Sequence, residues 1–97
     1  MNARICDVIR DRKIIRFSYS GGFRKVEPFC HGISTVGNDM LRGWQIDGYS
    51  ESGKPQGWKL FRVDMIPRLT ITDEAFEGRR PGYTPKDSAM TTVYCHV

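Results

Sequence analysis

The spacing of apolar residues predicts a short helix at the start of the chain. Ile5, Val8 and Ile9 recur at helical spacing among polar residues. Asn2 precedes them and can cap the first turn with its side chain. We therefore expect an amphipathic helix from Asn2 to about Arg12.

After this helix the pattern changes to the two-residue period of strands. Ile15, Phe17 and Tyr19 share one face of a predicted strand, and Ser20–Gly22 is a turn. Phe23–Phe29 then returns antiparallel, which gives a hairpin over residues 14–29. Further strands are predicted by the apolar and polar alternation of His31–Val36, Met40–Tyr49, Trp58–Val63 and Arg68–Thr72.

Sequential antiparallel strands of this length predict a mainly β fold. Gly43 and Gly48 lie inside one strand and allow it to bend, as a small curled sheet requires. We expect a small open β-barrel of about five antiparallel strands with one short N-terminal helix, spanning residues 1–76. Residues 77–97 are predicted as a basic, Pro/Gly-punctuated linker and an extended C-terminal tail. Thr91–Val97 regains β propensity and could add a strand to its own sheet or to a neighbour's.

Composition is that of one globular domain with a basic bias. The chain has 97 residues, 39% of them apolar, and a formal net charge of +4. Seven cations precede residue 27 and are opposed there only by Asp7 and Asp11; they are Arg4, Arg10, Arg12, Lys13, Arg16, Arg24 and Lys25. Two interpretations stay open: a solvated charged face, or a patch that faces phosphates.

Cysteine usage and hydropathy predict a cytoplasmic protein. The three cysteines show no Cys-x-x-Cys spacing, so we expect free thiols in a reducing compartment and no essential disulfide. No segment has the pattern of a signal peptide or a membrane span. Cys30-His31 and Cys95-His96 contain zinc-ligand residue types, but neighbours on a strand point to opposite faces, so we expect no metal and no cofactor.

Catalytic patterns are missing from the sequence. The only histidines are His31 and His96, and no Ser-His-Asp order or carboxylate pair stands out. Ser20–Gly22 leads into a strand and not into a helix, so it is no phosphate-binding loop. We expect no enzymatic activity.

From Ile5 to Phe76 the order of local motifs resembles the WYL domain, a small barrel of the Sm-like or Src-homology-3-like kind. The name-giving Trp-Tyr-Leu positions align with Asp39-Met40-Leu41, so only the leucine is kept. The residues that carry the resemblance are Ile15–Tyr19, Arg24–Pro28, Leu41–Trp44, Asp47–Tyr49 and Lys59–Ile66.

The resemblance implies a non-catalytic module that binds a ligand or nucleic acid and regulates transcription, as bacterial WYL domains do behind a DNA-binding helix-turn-helix. It also implies that Tyr19, Arg24 and Lys59 belong to the ligand-facing surface. Arg24 could hold a phosphate or carboxylate with two parallel hydrogen bonds, or pair structurally with Glu27 or Asp64.

Aromatic residues occur beside cations such as Arg42 and Arg62, a combination that suggests stacking on the bases of single-stranded nucleic acid. We expect binding of single strands in preference to sequence-specific binding of a duplex. Trp44 and Trp58 could either stack on bases or belong to the core. The ligand-binding set predicted from the sequence is Tyr19, Arg24, Lys59, Arg42 and Arg62.

The alternative function is a protein-interaction module. In that case the tail pairs with the sheet edge of a second copy or of another regulator.

Overall fold

The computed structural model of the chain describes residues 1–51 and 53–97. It confirms a mainly β fold with one N-terminal helix, and all strand pairs are antiparallel. Ser52, in the predicted loop between the third and fourth strands, lies outside the described residues. The elements are α1 (Ala3–Asp11), β1 (Lys13–Tyr19), β2 (Gly22–Ile33), β3 (Asp39–Gly48), β4 (Gly57–Arg62), a 3₁₀ turn (Val63–Met65), β5 (Leu69–Ala75) and β6 (Thr92–His96).

The helix forms where the apolar spacing predicts it. The Asn2 side chain accepts a hydrogen bond from the backbone N–H of Ile5 at 3.1 Å, which caps the first turn. Ile5, Val8 and Ile9 are buried, and they pack on one face of the sheet. The opposite side of the helix is left to charged residues.

Five strands follow one another in the order β4-β3-β2-β1-β5, and β6 pairs with β2 beside this path. The sheet is not closed, since β4 and β5 are its two ends. It curls enough to bring Phe61 of β4 within 5.0 Å of Tyr19 of β1, measured between ring centroids. The Tyr19 hydroxyl accepts a hydrogen bond from the Arg62 backbone N–H at 2.9 Å, which gives one amide of this outer edge a partner.

Strand β2 is longer than the sequence predicts. The hairpin was expected to end at Phe29, with a separate strand over His31–Val36, but β2 continues without interruption to Ile33. Register shifts beside Val26 and around Phe29 bend it, so the strand passes through Pro28 instead of stopping there. Val36 is 79% exposed and belongs to a turn.

One edge of β2 pairs with β3. The other edge pairs first with β1 and, further along the strand, with β6. Gly22–Val26 pair with β1, and Cys30–Ile33 pair with β6. The change of partner falls around Pro28, which has no backbone N–H to donate. The sequence left open whether the tail adds a strand to its own sheet or to a neighbour's. In the structure it adds the strand to its own sheet.

Three apolar clusters pack on the sheet, the smallest of them formed by Cys30, Met40 and Met90, and the two larger ones lie on its two faces. The first joins the helix to residues such as Phe17, Leu41 and Phe61. The second contains Phe29 and Phe76 and is covered by Tyr83 from the segment predicted as a linker. Residues 77–91 form no helix or strand, but they complete the second cluster.

A disulfide joins Cys6 of α1 to Cys95 of β6, so the prediction of free thiols is wrong for these two residues. Their Cα atoms lie 5.7 Å apart although 89 positions separate them in the chain. Local spacing could not reveal this pair, because only the packing of the last strand beside the first helix brings it together. Cys30 is the free, buried cysteine, and burial raises the pKa of its thiol to about 11.

The disulfide also removes one support for a cytoplasmic location, which was inferred from free thiols. Within the described residues, no helix is both long enough and apolar enough to cross a membrane.

Reduction of this bond is expected to lower the free energy of unfolding by about 2 to 4 kcal/mol, because the bond closes a long loop in the unfolded chain. Urea unfolding of the oxidised protein, of the reduced protein and of the Cys6→Ser/Cys95→Ser variant measures the effect. Cys30→Ser, which leaves the bond in place, is the control for thiol loss. Equal stability of oxidised and reduced protein would show that the bond contributes nothing.

His31 is fully buried in β2 and contacts the start of α1. Its Nε2 accepts a hydrogen bond from the Asn2 backbone N–H at 3.1 Å, and its Nδ1 lies 2.8 Å from the Met40 carbonyl oxygen. Nδ1 must therefore carry the hydrogen, and the ring is neutral. Burial lowers the pKa of His31, against the opposing effects of the Met40 carbonyl and Asp39.

Stability should consequently fall as the pH drops below 6.5, the ordinary pKa of histidine, because the unfolded chain then binds a proton that the folded chain does not. Urea unfolding at about pH 7.5, 6.5 and 5.5 tests this, with His31→Gln expected to flatten the dependence. Asp87, whose pKa is lowered chiefly by its hydrogen bond from Arg42, loses its contribution only below 3.8 and does not interfere. An unchanged slope in His31→Gln would assign the effect elsewhere.

Candidate anion-binding site

Only two of the five residues predicted from the sequence bring their side chains into contact with each other. Tyr19 and Arg24 meet at one end of the first apolar cluster. Lys59, Arg42 and Arg62 are each held by other partners. The candidate site is therefore built around Arg24.

Arg24 is a buried cation, with 5% of its surface exposed. It lies on β2 opposite Phe17, and so on the face that carries the helix. Its Nη2 donates to the Tyr19 carbonyl oxygen at 3.0 Å, and its Nη1 donates to Gln45 Oε1 at 3.4 Å. Nε has no hydrogen-bond partner among the described residues.

Three aromatic rings surround the guanidinium. Its central carbon lies 5.5 Å from the Tyr19 ring centroid, 5.3 Å from that of Tyr49 and 5.8 Å from that of Phe61. Such ring faces attract a cation, but they are not a counter-charge. Within the described residues, the guanidinium is thus stabilised by dipoles and rings alone.

Neither of the two carboxylates considered as structural partners pairs with Arg24. Glu27 binds Arg80, and Asp64 binds Arg62. Among residues 1–51 and 53–97, no carboxylate lies within 4.0 Å of the Arg24 guanidinium.

Gln45 is a member of this site that the sequence analysis did not single out. Its side chain is fully buried, and its Nε2 donates to the Tyr49 carbonyl oxygen at 2.9 Å, which turns Oε1 towards Arg24. The available signal was its position two residues after Gly43 and four after Leu41, on the inward face of β3, where a polar residue needs a partner. Phe61 was missed for a different reason, because it reads as an ordinary core residue.

A glycine permits the close approach of β3 and β2 at the site. Gly48 has φ +109°, and a Cβ there would lie 2.1 Å from the Phe23 carbonyl oxygen and 3.0 Å from Arg24 Cα. No larger residue fits at this point. Tyr49 follows directly, and its backbone N–H donates to the same Phe23 oxygen at 2.8 Å.

Lys59 and Arg62 belong to β4 but bind different partners. Lys59 Nζ donates to Ser50 Oγ at 3.0 Å and to the Lys54 carbonyl oxygen at 2.7 Å, so it fastens the preceding loop to the strand. The Arg62 side chain is exposed and pairs with Asp64 at 2.8 Å. Arg62 contacts Tyr19 only through its backbone N–H.

Arg42 lies on the other face of the sheet and binds the tail. Its Nε and Nη2 donate to the two oxygens of Asp87 at 2.7 and 3.2 Å. The pair borders an open hollow of about 410 Å³ that is also lined by Trp58, Tyr83 and Lys86. The structure therefore separates Arg42 from Arg24.

The two tryptophans pack against the second apolar cluster, which agrees with the interpretation that they belong to the core. Trp44 and Trp58 meet edge to face at 5.4 Å, and Tyr83 stacks on Trp58 at 5.8 Å. Arg80 lies 4.9 Å above the Trp44 ring, and Trp58 Nε1 donates to the Pro81 carbonyl oxygen at 2.7 Å.

The zinc-ligand residue types are engaged in other ways. Cys95 is part of the disulfide, and both ring nitrogens of His31 make hydrogen bonds. In the part of the chain that the structure describes, no group of three or more potential ligands could hold a metal ion.

No family model matches the chain, and neither a curated protein nor a solved structure shows significant similarity to it.

The Glu27–Arg80 pair offers a direct test of how firmly the predicted linker is attached. Glu27 is buried, and Arg80 donates to both of its oxygens at 2.9 and 2.8 Å. Arg80→Met should lower the free energy of unfolding by about 2 kcal/mol, because it leaves a buried carboxylate unpaired while 34% exposure of the Arg80 side chain limits the loss. Arg79→Met, at the exposed neighbouring position, is the matched control and should change it by less than about 0.5 kcal/mol. Equal effects in chemical unfolding would show that the segment is only a loose linker.

Proposed function

We propose that the protein is a non-catalytic regulatory module that binds a small anionic ligand, a carboxylate or a phosphate, at Arg24. The observation that carries this proposal is a buried guanidinium that has an unpartnered Nε–H and no carboxylate partner among the described residues. A bound oxyanion would supply both the missing acceptor and the missing charge.

A buried charge without a counter-charge is energetically costly. Transfer of an ion from water into a protein interior carries a penalty of several kcal/mol, which an opposite charge normally offsets. Two neutral hydrogen bonds and three ring faces offset part of it for Arg24. An anionic ligand would offset the remaining part of the desolvation penalty. The planar set of N–H donors of arginine matches the oxygens of a carboxylate or a phosphate.

Access to the guanidinium would lead past Tyr49. Tyr49 is 46% exposed, and its ring centroid lies 5.3 Å from the central carbon of the Arg24 guanidinium. Rotation of this one ring would uncover the cation without disturbing the strands that hold it. Lys59, which alternation places on the same face of β4 as Phe61, would add positive potential near the entrance.

The resemblance to the WYL family supports the same assignment. It led us to expect Tyr19 and Arg24 on the ligand-facing surface, and these two residues are in contact. Regulation of transcription and a bacterial origin enter only through this resemblance and remain part of the proposal.

Assembly through the tail, the alternative function, has no specific observation in its favour. Strand β6 pairs with β2 of its own chain, and Cys95 is bonded to Cys6. The hypothesis stays a prediction.

The test is a titration of the full chain with sodium phosphate and with sodium acetate, at constant ionic strength, followed by thermal unfolding. Wild type should be stabilised by at least one of the two anions, by about 2.7 kcal/mol at a hundred times its dissociation constant. Arg24→Met, which keeps the volume of the side chain, should abolish the shift. Arg62→Met removes an exposed arginine and should leave the shift unchanged.

The same variant also distinguishes a binding role from a structural one. Because Arg24 lacks a counter-charge, the ligand-free Arg24→Met protein should be within about 1 kcal/mol of wild type in stability. A loss of more than about 2 kcal/mol would identify Arg24 as a structural cation held by its three rings. Absence of any shift with either anion would contradict the proposal.

A further inference from the structure

A groove runs over the face of the sheet that points away from the helix. Two adjoining hollows form it, of about 430 and 310 Å³, and they share Ser18, Phe23 and Pro67. One end is bordered by Arg16, Arg68 and Thr70, and the other by the turn between β1 and β2. The first apolar cluster borders it through Phe17.

Arg24 lines neither hollow of this groove, although Tyr19, which contacts Arg24, borders the turn end. Phe23 and Arg24 are neighbours on β2, and alternation directs them to opposite faces of the sheet. Arg16 likewise precedes Phe17, whose side chain belongs to the cluster beneath the helix. A ligand in the groove would therefore not touch the Arg24 guanidinium.

Two cations at one end have no anionic partner. Arg16 and Arg68 are exposed, and within the described residues neither makes an ion pair or a side-chain hydrogen bond. The nearby Lys25 differs, because it is paired with Glu74 at 2.9 Å. The two arginines thus offer ten N–H donors in all to an external anion.

An exposed aromatic ring adjoins these cations. Phe23 is 38% exposed, and the Arg16 guanidinium carbon lies 4.7 Å from its ring centroid. Beyond Phe23 the groove continues along Pro67 and Met65, and Met65 is 55% exposed. The surface therefore combines an arginine end with an apolar floor.

We infer that this groove binds a short stretch of single-stranded nucleic acid. Phosphates would bind Arg16 and Arg68, and an unpaired base would stack on Phe23. A duplex would hide the base faces that the apolar floor can contact. Glu51, which accepts a hydrogen bond from Ser20 at the turn, directs the backbone phosphates towards the arginine end.

The experiment is a fluorescence-anisotropy titration of the full oxidised chain with labelled oligothymidylate, oligouridylate and duplex DNA of about 15 units, at about 50 and 200 mM salt. Wild type should bind at least one single strand more tightly than the duplex. The Arg16→Gln/Arg68→Gln variant should bind that strand about tenfold more weakly. Its dependence of log K on log salt should be shallower by about 1.4, from about 0.7 per phosphate contact.

Phe23→Leu tests stacking separately from charge. It keeps an apolar side chain in the hairpin but removes the aromatic face, and it should weaken binding about fivefold or more, with no change in salt dependence. The charge-matched control is Arg4→Gln/Arg79→Gln, two exposed cations outside the groove, which should bind within about twofold of wild type. Far-ultraviolet circular dichroism and thermal unfolding verify that each variant is folded.

Three results would overturn the inference. The first is no binding of either strand at low salt. The second is an equal loss in the groove and control pairs, which would indicate a diffuse charge effect. The third is equal binding of duplex and single strand with no effect of Phe23→Leu. Arg24→Met should bind the oligonucleotide like wild type. The oligonucleotide titration and the phosphate titration therefore test the groove and the Arg24 site independently.

Discussion

Strand β2 is the element on which the rest of the structure depends, because it is hydrogen-bonded to three other strands. β3 covers one edge along nearly the full length, while β1 and β6 pair with its first and last parts. Two register shifts let it bend between these partners. The residues proposed to have functions take their positions from this strand. Arg24 faces the helix side, Phe23 faces the groove, and Glu27 anchors residues 77–91.

Buried charges divide into satisfied and unsatisfied groups. Glu27 and Asp87 each bind an arginine through both oxygens, and each of these pairs ties residues 77–91 to the sheet. Among the residues that the structure describes, Arg24 has only neutral partners and aromatic rings. Because the same chain supplies ideal counter-charges at two places, the absence of one at Arg24 among the described residues is a specific feature of that site.

Local patterns predicted the elements, and long-range contacts decided what the patterns could not. The helix with its Asn2 cap and the hairpin at Ser20–Gly22 follow from side-chain spacing and turn chemistry within a few residues. The passage of β2 through Pro28 does not, because pairing with β6 depends on residues far away in the chain, such as His96 opposite Cys30. The Cys6–Cys95 bond is hidden for the same reason. At the site, Tyr19 and Arg24 were found through a resemblance, whereas Gln45 needed the register of β3 against β2.

The bond between the first helix and the last strand also makes the chain topologically a ring for most of its length. Val36 and Gly37 form an exposed turn inside that ring. A single backbone cut there would yield two pieces, one carrying Cys6 and the other Cys95, that remain covalently joined. After such a cut the backbone would be broken, but the disulfide would hold the two pieces together until a reductant cleaves it.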